Sequence, residues 1–285
     1  MVAPSEAAIH PGRLSDSGAV GILKKTLQAA LRAFHLTFLR RSMPRRIALY
    51  LHEIDAITAE ALEELIPFFQ ARGYEFVNPE MYEADLDPAR RMAFLSFDDN
   101  YVSWNEHRPL FAKYRVPATF YVNSLPLDRD YADPVVRDYY RRLDSPSDQR
   151  PLTSRQLAAL AEDGHTVGCH SHSHFNLAAL DSTNLTKEIF LNRSIIEAAA
   201  RTPVRDFSFP FGMPRNLSMT AKNEVRRAGF TRIAHATPGM QYVPPMRGTI
   251  HRGLWHSALS LDRNVAELCV DGRLFVRLCG RSPLG

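Results

Sequence analysis

Met92-Ala93-Phe94-Leu95-Ser96-Phe97-Asp98-Asp99-Asn100 is an apolar run that stops abruptly on two carboxylates and an amide. Met92 to Phe97 reads as a buried β-strand, which puts the aspartates at its C-terminal end. Taken alone, Asp-Asp-Asn is a turn or a helix N-cap. The pattern recurs along the chain, however. Ile47–Leu51 is a short apolar strand ending at His52, and Thr166–Cys169 runs into His170-Ser171-His172-Ser173-His174. Phe207–Phe209 runs into Pro210-Phe211-Gly212, and further strands are expected at Tyr74–Val77, Ala118–Val122, Thr231–Ala234 and Thr249–Arg252. Helical patterns separate them. One runs from Thr58 as its cap to Arg72, with Pro67 inside and Gly73 as its stop; others are Glu106–Lys113, Gln156–Glu162, Leu185–Ala200, Ala221–Arg227 and a helix after Leu261. Strand–helix alternation repeated in this way specifies an α/β fold with a parallel sheet. With no long linker and no repeat, the expectation is a single domain over residues 42–285, closed as a distorted (β/α) barrel of about seven parallel strands. Functional residues of such barrels sit at the C-terminal strand ends. That is where His52, Asp98-Asp99, the histidine run and Pro210-Phe211-Gly212 fall.

The 285 residues, 45% hydrophobic and 23% charged, suffice for a sizeable core. The net charge of +4 is concentrated near the N-terminus, without an arginine-rich tract interleaved with aromatics, so nucleic-acid binding is set aside. Cys169, Cys269 and Cys279 make no disulfide framework and fit a reducing compartment. No stretch reads as a secretory signal or a membrane span, so the expected location is cytoplasmic. Residues 1–18 are expected to be disordered. Over residues 19–41, Val20, Leu23, Leu27, Leu31, Phe34 and Phe38 recur at helical spacing, with Lys24, Lys25, Arg32, Arg40 and Arg41 between or beyond them. This basic amphipathic helix packs on the domain or on a second copy, or lies peripherally on the inner membrane surface.

His170 and His174, four residues apart, would lie on one face of a helical turn and point at one ion. Two histidines and a carboxylate match the ligand set of hydrolytic zinc sites. Of two adjacent carboxylates, one can then bind the metal while the other takes a proton from water.

Together these segments resemble the motifs of the polysaccharide deacetylase family, carbohydrate esterase family four, also called the NodB homology domain. Ser96-Phe97-Asp98-Asp99-Asn100 is similar to its Thr-Phe-Asp-Asp-Gly motif. His170-Ser171-His172-Ser173-His174 fits His-Ser/Thr-x-x-His in full, and Ser208-Phe209-Pro210-Phe211-Gly212 stands where an Arg-x-Pro-Tyr type loop is expected. The resemblance covers roughly residues 47–255 and implies a NodB-like barrel. It implies Asp99, His170 and His174 as metal ligands and Asp98 as general base. It also implies Ser171 as the hydroxyl shaping the histidine loop, with Pro210 as a supporting residue, and the Phe211 backbone N–H as oxyanion donor. His172 is left as a structural or rim residue. Leu49-Tyr50-Leu51-His52-Glu53 resembles the opening strand of the exopolysaccharide branch, the poly-N-acetylglucosamine deacetylases with a circularly permuted barrel, which makes His52 the general acid.

Some positions depart from the family pattern. Asn100 replaces a glycine, and asparagine is the next best residue where positive φ is needed. Ser208 replaces the third-motif arginine. No Asp-x-x-Asp-Trp motif is found, and Ile250-His251 and Trp255-His256 are poor matches to Leu-x-His. The activity implied is removal of N-acetyl groups from N-acetylglucosamine-type residues of an exopolysaccharide, biofilm or adhesin polymer. It would use a divalent metal, expected to be zinc. The partner is then an oligo- or polysaccharide containing N-acetylhexosamine. Two alternatives stand beside it: a decayed deacetylase that binds carbohydrate or scaffolds, and a deacetylase of a lipid-linked sugar. Residues 124–150, with Tyr131, Tyr139 and Tyr140, read as an insertion with a short helix near Pro134. It is either a wall stacking on sugar rings or plain surface.

Overall fold

Apolar segments covered on both faces pair in parallel, since each crossover lays a helix over the sheet. The computed structural model, which describes residues 19–84, 87–145, 150–243 and 246–279, contains eight such strands. They are β1 (Arg46–Leu51), β2 (Tyr74–Phe76), β3 (Arg91–Asp99), β4 (Ala118–Val122), β5 (Thr166–Cys169), β6 (Asp206–Ser208), β7 (Arg232–Ala236) and β8 (Thr249–Leu254). Parallel pairing runs β1-β8-β7-β6-β5-β4-β3, and β3 pairs again with β1 from Arg46↔Met92 to Leu51↔Phe97. Seven strands therefore close a barrel, as the alternation predicted. β2 stands outside that ring: it pairs with the start of β3 (Tyr74↔Arg91 to Phe76↔Ala93), below the point where β4 takes over at Leu95↔Ala118.

Side chains alternate across the barrel wall with a period of two. Ala48, Met92, Phe94, Tyr121, Ala234 and Ile250 form the inner core, with Val77 and Tyr82. Ile47, Leu49, Leu51, Leu95, Phe97 and Phe120 belong to the outer layer against the helices. Continuing the inner phase towards the strands' C-terminal ends reaches Tyr50 and His52, Ser96 and Asp98, His170, Ser208 and Arg252. One end of the barrel is thus polar because the alternation runs out of apolar residues there on several strands together.

Several helix boundaries differ from the expected ones for local reasons. Asp55, not Thr58, caps the helix Ala56–Gln70, its carboxylate accepting from the Thr58 N–H at 2.7 Å. The Glu106–Lys113 pattern is two helices, Ser103–Glu106 and Arg108–Tyr114. The Leu185–Ala200 pattern starts at Ser182 and carries a π turn at Lys187–Leu191. The insertion contributes the helix Pro134–Arg142, in which Tyr139 and Tyr140 are buried (residues 146–149 lie outside the described residues). Neither reading of the insertion holds for these two tyrosines, because they face inward. Residues 1–18 lie outside the described residues, and the basic amphipathic segment forms the helix Ala19–Phe38.

Two histidines packed against aromatic rings set a pH dependence. His165 is wedged against Phe111 and Phe120 and its Nδ1 accepts from the Ala118 N–H at 3.2 Å, so protonation there opposes an existing bond. Burial lowers its pKa from 6.5 to about 4. For His235, stacked on Phe209, burial and then the neighbouring His251 lower it to about 3. An unfolded chain binds these protons near pH 6.5 and the folded chain does not, so stability is full above that pH and falls as pH drops towards 4. Urea midpoints should decline over this window, and His235→Phe should make the decline shallower. A flat profile in the parent protein would contradict the assignment.

Candidate active site

Adjacent residues of an extended strand point to opposite faces, yet Asp98 and Asp99 serve one site. Asp98 follows the inner phase. Asp99 has φ 87°, so its carboxylate swings round to the same rim. The positive φ expected at Asn100 lies one residue earlier. Asn100 acts through its side chain instead: its amide donates to the Asn123 carbonyl at 2.9 Å and its Oδ1 accepts from the Leu152 N–H at 2.8 Å. Ser171, His174 and Phe211 also have positive φ, at 66°, 61° and 64°. Non-glycine residues in this region cost energy and concentrate where a site demands them. The histidine segment is accordingly a loop of left-handed kinks, not the helical turn expected.

The loop converges on Asp99. His170 and His174 place Nε2 at 3.6 and 3.3 Å from Asp99 Oδ1, and that oxygen is buried without a hydrogen-bond partner. The three donors lie within 4.8 Å of one another. Ligands about 2.0–2.1 Å from a tetrahedral ion are ~3.3–3.4 Å apart, so the set fits a divalent cation. Tautomers fit as well. His170 Nδ1 lies 2.8 Å from the Ser208 carbonyl, which can only accept, so Nε2 keeps its lone pair for a metal. Burial lowers His170 to about 4 and His174 well below the ordinary histidine value, keeping both neutral as ligands require. Burial, then the Asp98 charge, pushes the Asp99 carboxyl well above the usual range. A dication at this point favours its ionised form.

Braces hold the loop from behind. Ser171 Oγ accepts from the His174 N–H at 3.1 Å. The π turn brings Glu188 against the loop: its carbonyl accepts from the His172 N–H at 2.9 Å and its carboxylate from the Ser173 N–H at 2.7 Å. His172 itself turns away, its Nδ1 2.8 Å from Ser124 Oγ. Asn123 donates to the Ser171 carbonyl at 2.9 Å and accepts from the Tyr139 hydroxyl at 2.7 Å, while the Tyr140 hydroxyl donates to the Asn100 carbonyl. The buried tyrosines of the insertion therefore support both segments that carry the Asp99–His170–His174 group.

Asp98 is in a different state. Arg252 on β8 grips it through two bonds, Nη1 to Oδ1 at 2.7 Å and Nη2 to Oδ2 at 2.8 Å. Arg252 also donates to Ser96 Oγ and Ser208 Oγ at 2.9 and 2.6 Å, and lies over the rings of Tyr50 and Tyr121 at 4.8 and 5.0 Å. Burial alone would raise the Asp98 carboxyl, but the Arg252 charge overrides it and holds the group at about 2. Asp98 is thus an ionised, buried carboxylate, with its Oδ2 4.0 Å from His170 Nε2. The sequence reading missed Arg252, which lies between the two weak Leu-x-His candidates. Serine at position 208 leaves room for the guanidinium to cross the barrel from β8.

Around the rim, His52 follows β1 at the level of Asp98, in the register Leu51↔Phe97, and its carbonyl accepts from Trp104 Nε1 at 2.7 Å. Its side chain reaches solvent beside a cleft of about 200 Å³ lined by Leu51, His52, Glu53, Asp55, Thr58, Trp255 and Ser257. Crowding by protein, ahead of the Arg252 charge, lowers its pKa against the pull of Asp98. Phe211 is 50% exposed, its ring 4.9 Å from that of His174. Pro210 before it is buried. Gly212 after it has φ 53°, and a Cβ there would meet Ala236 N at 2.6 Å, so only glycine lets this loop lie against β7. His251 faces outward to Thr237 Oγ1 at 2.8 Å, and the His256 N–H donates to Asn264. Neither joins the Asp99–His170–His174 group.

A closed parallel barrel carrying Asp-His-His and a separate ionised aspartate at its C-terminal rim defines the architecture of a carbohydrate deacetylase. The chain belongs to the polysaccharide deacetylase family, whose sequence profile matches residues 85–233. Its fold is similar to that of IcaB from Ammonifex degensii, at 17% identity and TM-score 0.60 over 80% of this chain and 98% of that one. It is also similar to the Streptococcus pyogenes deacetylase PplD, solved with acetate (15% identity, TM-score 0.59, 81% of this chain and 99% of that one). The deacetylase domain of BpsB from Bordetella bronchiseptica matches at 18% identity and TM-score 0.58 over 73% and 94%. No curated protein matches by sequence.

Proposed function

We propose that the protein is a metal-dependent N-deacetylase acting on N-acetylglucosamine-type residues of an exopolysaccharide. The observation that carries this reading is the division of labour between neighbours: Asp99 joins two neutral histidines, while Asp98 is kept ionised by Arg252. Asp99, His170 and His174 would hold the cation, zinc by its ligand types, which when bound polarises the acetamide carbonyl and acidifies a water. Asp98 accepts the proton of the attacking water. The Phe211 backbone N–H donates to the oxyanion that develops on the carbonyl oxygen. His52, across the rim from the histidine loop, protonates the leaving nitrogen as the C–N bond breaks, giving acetate and a free amine. A decayed binding protein would have no use for a buried ionised base, which argues against that alternative. The free thiols of Cys169, Cys269 and Cys279 suit the cytoplasmic location we propose.

Acetate release from acetylated chito-oligosaccharides tests the reading. Chelation should abolish it and added zinc restore it. His52→Ala should lose turnover while keeping its metal. Full acetate release by Asp99→Ala would overturn the ligand assignment.

A further inference from the structure

The helix Ala19–Phe38 shows a different kind of chemistry. Its described side chains meet the barrel domain on one side. His35, 4% exposed, packs its ring 5.1 Å from Phe275, and Arg32 pairs with Glu267. The row Leu31, Phe34 and Phe38 is left 44, 52 and 70% exposed, with the two phenylalanine rings 4.8 Å apart. The neighbouring helix Arg273–Cys279, which carries Phe275, exposes Leu274 and Leu278 at 66 and 74%. Backbone bonds tie the two helices' flanks together, from the Arg41 N–H to the Cys269 carbonyl at 2.7 Å and from the Asp271 N–H to the Leu39 carbonyl at 3.0 Å. The apolar row is therefore not packed on the domain, and contiguous exposed apolar surface of this kind marks an interaction site.

Charge selects the partner. From Ser17 to His52 the chain has no acidic residue and seven basic ones, Lys24, Lys25, Arg32, Arg40, Arg41, Arg45 and Arg46. Beyond Asp271 it has three arginines and no acid. The whole protein is only +4, so everything outside these two segments is net acidic. Two copies meeting through this face would set like charges together, since its carboxylates Glu267 and Asp271 are already paired within one copy, with Arg32 and with Arg41 and Arg273. An anionic polymer would satisfy the charges and leave the phenylalanines and leucines in water. An anionic bilayer takes both, apolar residues into the acyl boundary and lysines and arginines to the headgroups. No helix among the described residues is long and apolar enough to cross a membrane, so the contact lies in the plane of the interface.

We propose that the helices Ala19–Phe38 and Arg273–Cys279 together form a peripheral docking surface for an anionic lipid bilayer. The test is co-sedimentation of the full chain with vesicles of phosphatidylcholine alone and of an equal mixture with phosphatidylglycerol. The protein should pellet with the mixed vesicles only, and raised salt should weaken binding about tenfold. Phe34→Ser/Phe38→Ser and, separately, Lys24→Gln/Lys25→Gln should each lose about tenfold in binding. Circular dichroism and acetate release from a soluble oligosaccharide should be unchanged in both. Equal pelleting with neutral vesicles, or no pelleting with either, overturns the proposal. So does a concentration-dependent dimer that Phe34→Ser dissolves, which would assign the face to a second copy.

Discussion

Arg252→Met is expected to lower folding stability by about 3–5 kcal/mol, the usual cost of leaving a buried charge without its partner. Methionine fills much of the arginine's space, so the effect isolates the charge. The guanidinium is fully buried, and its removal leaves the Ser208 hydroxyl, at 3.4 Å, as the one hydrogen-bond donor to the Asp98 side chain among the described residues. Asp98→Asn in the same chain should recover most of the loss, because the double variant no longer buries a lone carboxylate. That coupling is read from urea midpoints of the four members of the cycle. The pair also has a pH signature. The Asp98 pKa is lowered from 3.8 to about 2 in the folded protein, so its contribution is complete above about pH 4 and is lost as pH falls through 2. Unchanged stability in Arg252→Met would mean that Asp98 is not held as an ion.

Asp98→Asn alone is expected to reduce turnover by about 10²–10⁴-fold, the range for loss of a general base, with metal content intact. The amide keeps the shape of the carboxylate but cannot accept the water proton. Its neighbour should behave in the opposite sense. Asp99→Ala removes the oxygen 3.3 and 3.6 Å from the two imidazoles, and metal retention should fail before any catalytic step is reached. Metal analysis beside acetate release separates the two. Asp98→Asn leaves the buried Arg252 unpaired, so its fold is checked by circular dichroism; should the folded variant lose its metal too, the assignment of base and ligand to different aspartates is wrong.

Much of the rim was legible because barrels place strand ends together. Asp98-Asp99, His170, His174, Phe211 and His52 could each be located by asking where an apolar run stopped. Arg252 was not found that way: the expected strand Thr249–Arg252 ended on it, but with His251 beside it nothing in the run marked it, and β8 continues past it to Leu254. Its signal was the inner phase shared with Ile250, legible only once the strand's register is known. Ser208 read as the loss of an arginine; in the barrel its hydroxyl accepts from Arg252, which comes from β8, two places along the wall from β6.

Periodicity and strand-end chemistry are properties of short stretches, so the chain order alone carried the α/β alternation, the barrel and the family motifs. Conformation at single residues and contacts between distant strands are not local in that sense. The left-handed turns at Asp99, Ser171, His174 and Phe211 are imposed by the loops they close, against intrinsic preference. The Arg252–Asp98 pair spans 154 positions, and the exposure of Leu31, Phe34 and Phe38 depends on which side of their helix the domain happens to cover. Closure of the barrel is what makes the Arg252–Asp98 contact, because it brings β8 beside β1 and within reach of β3.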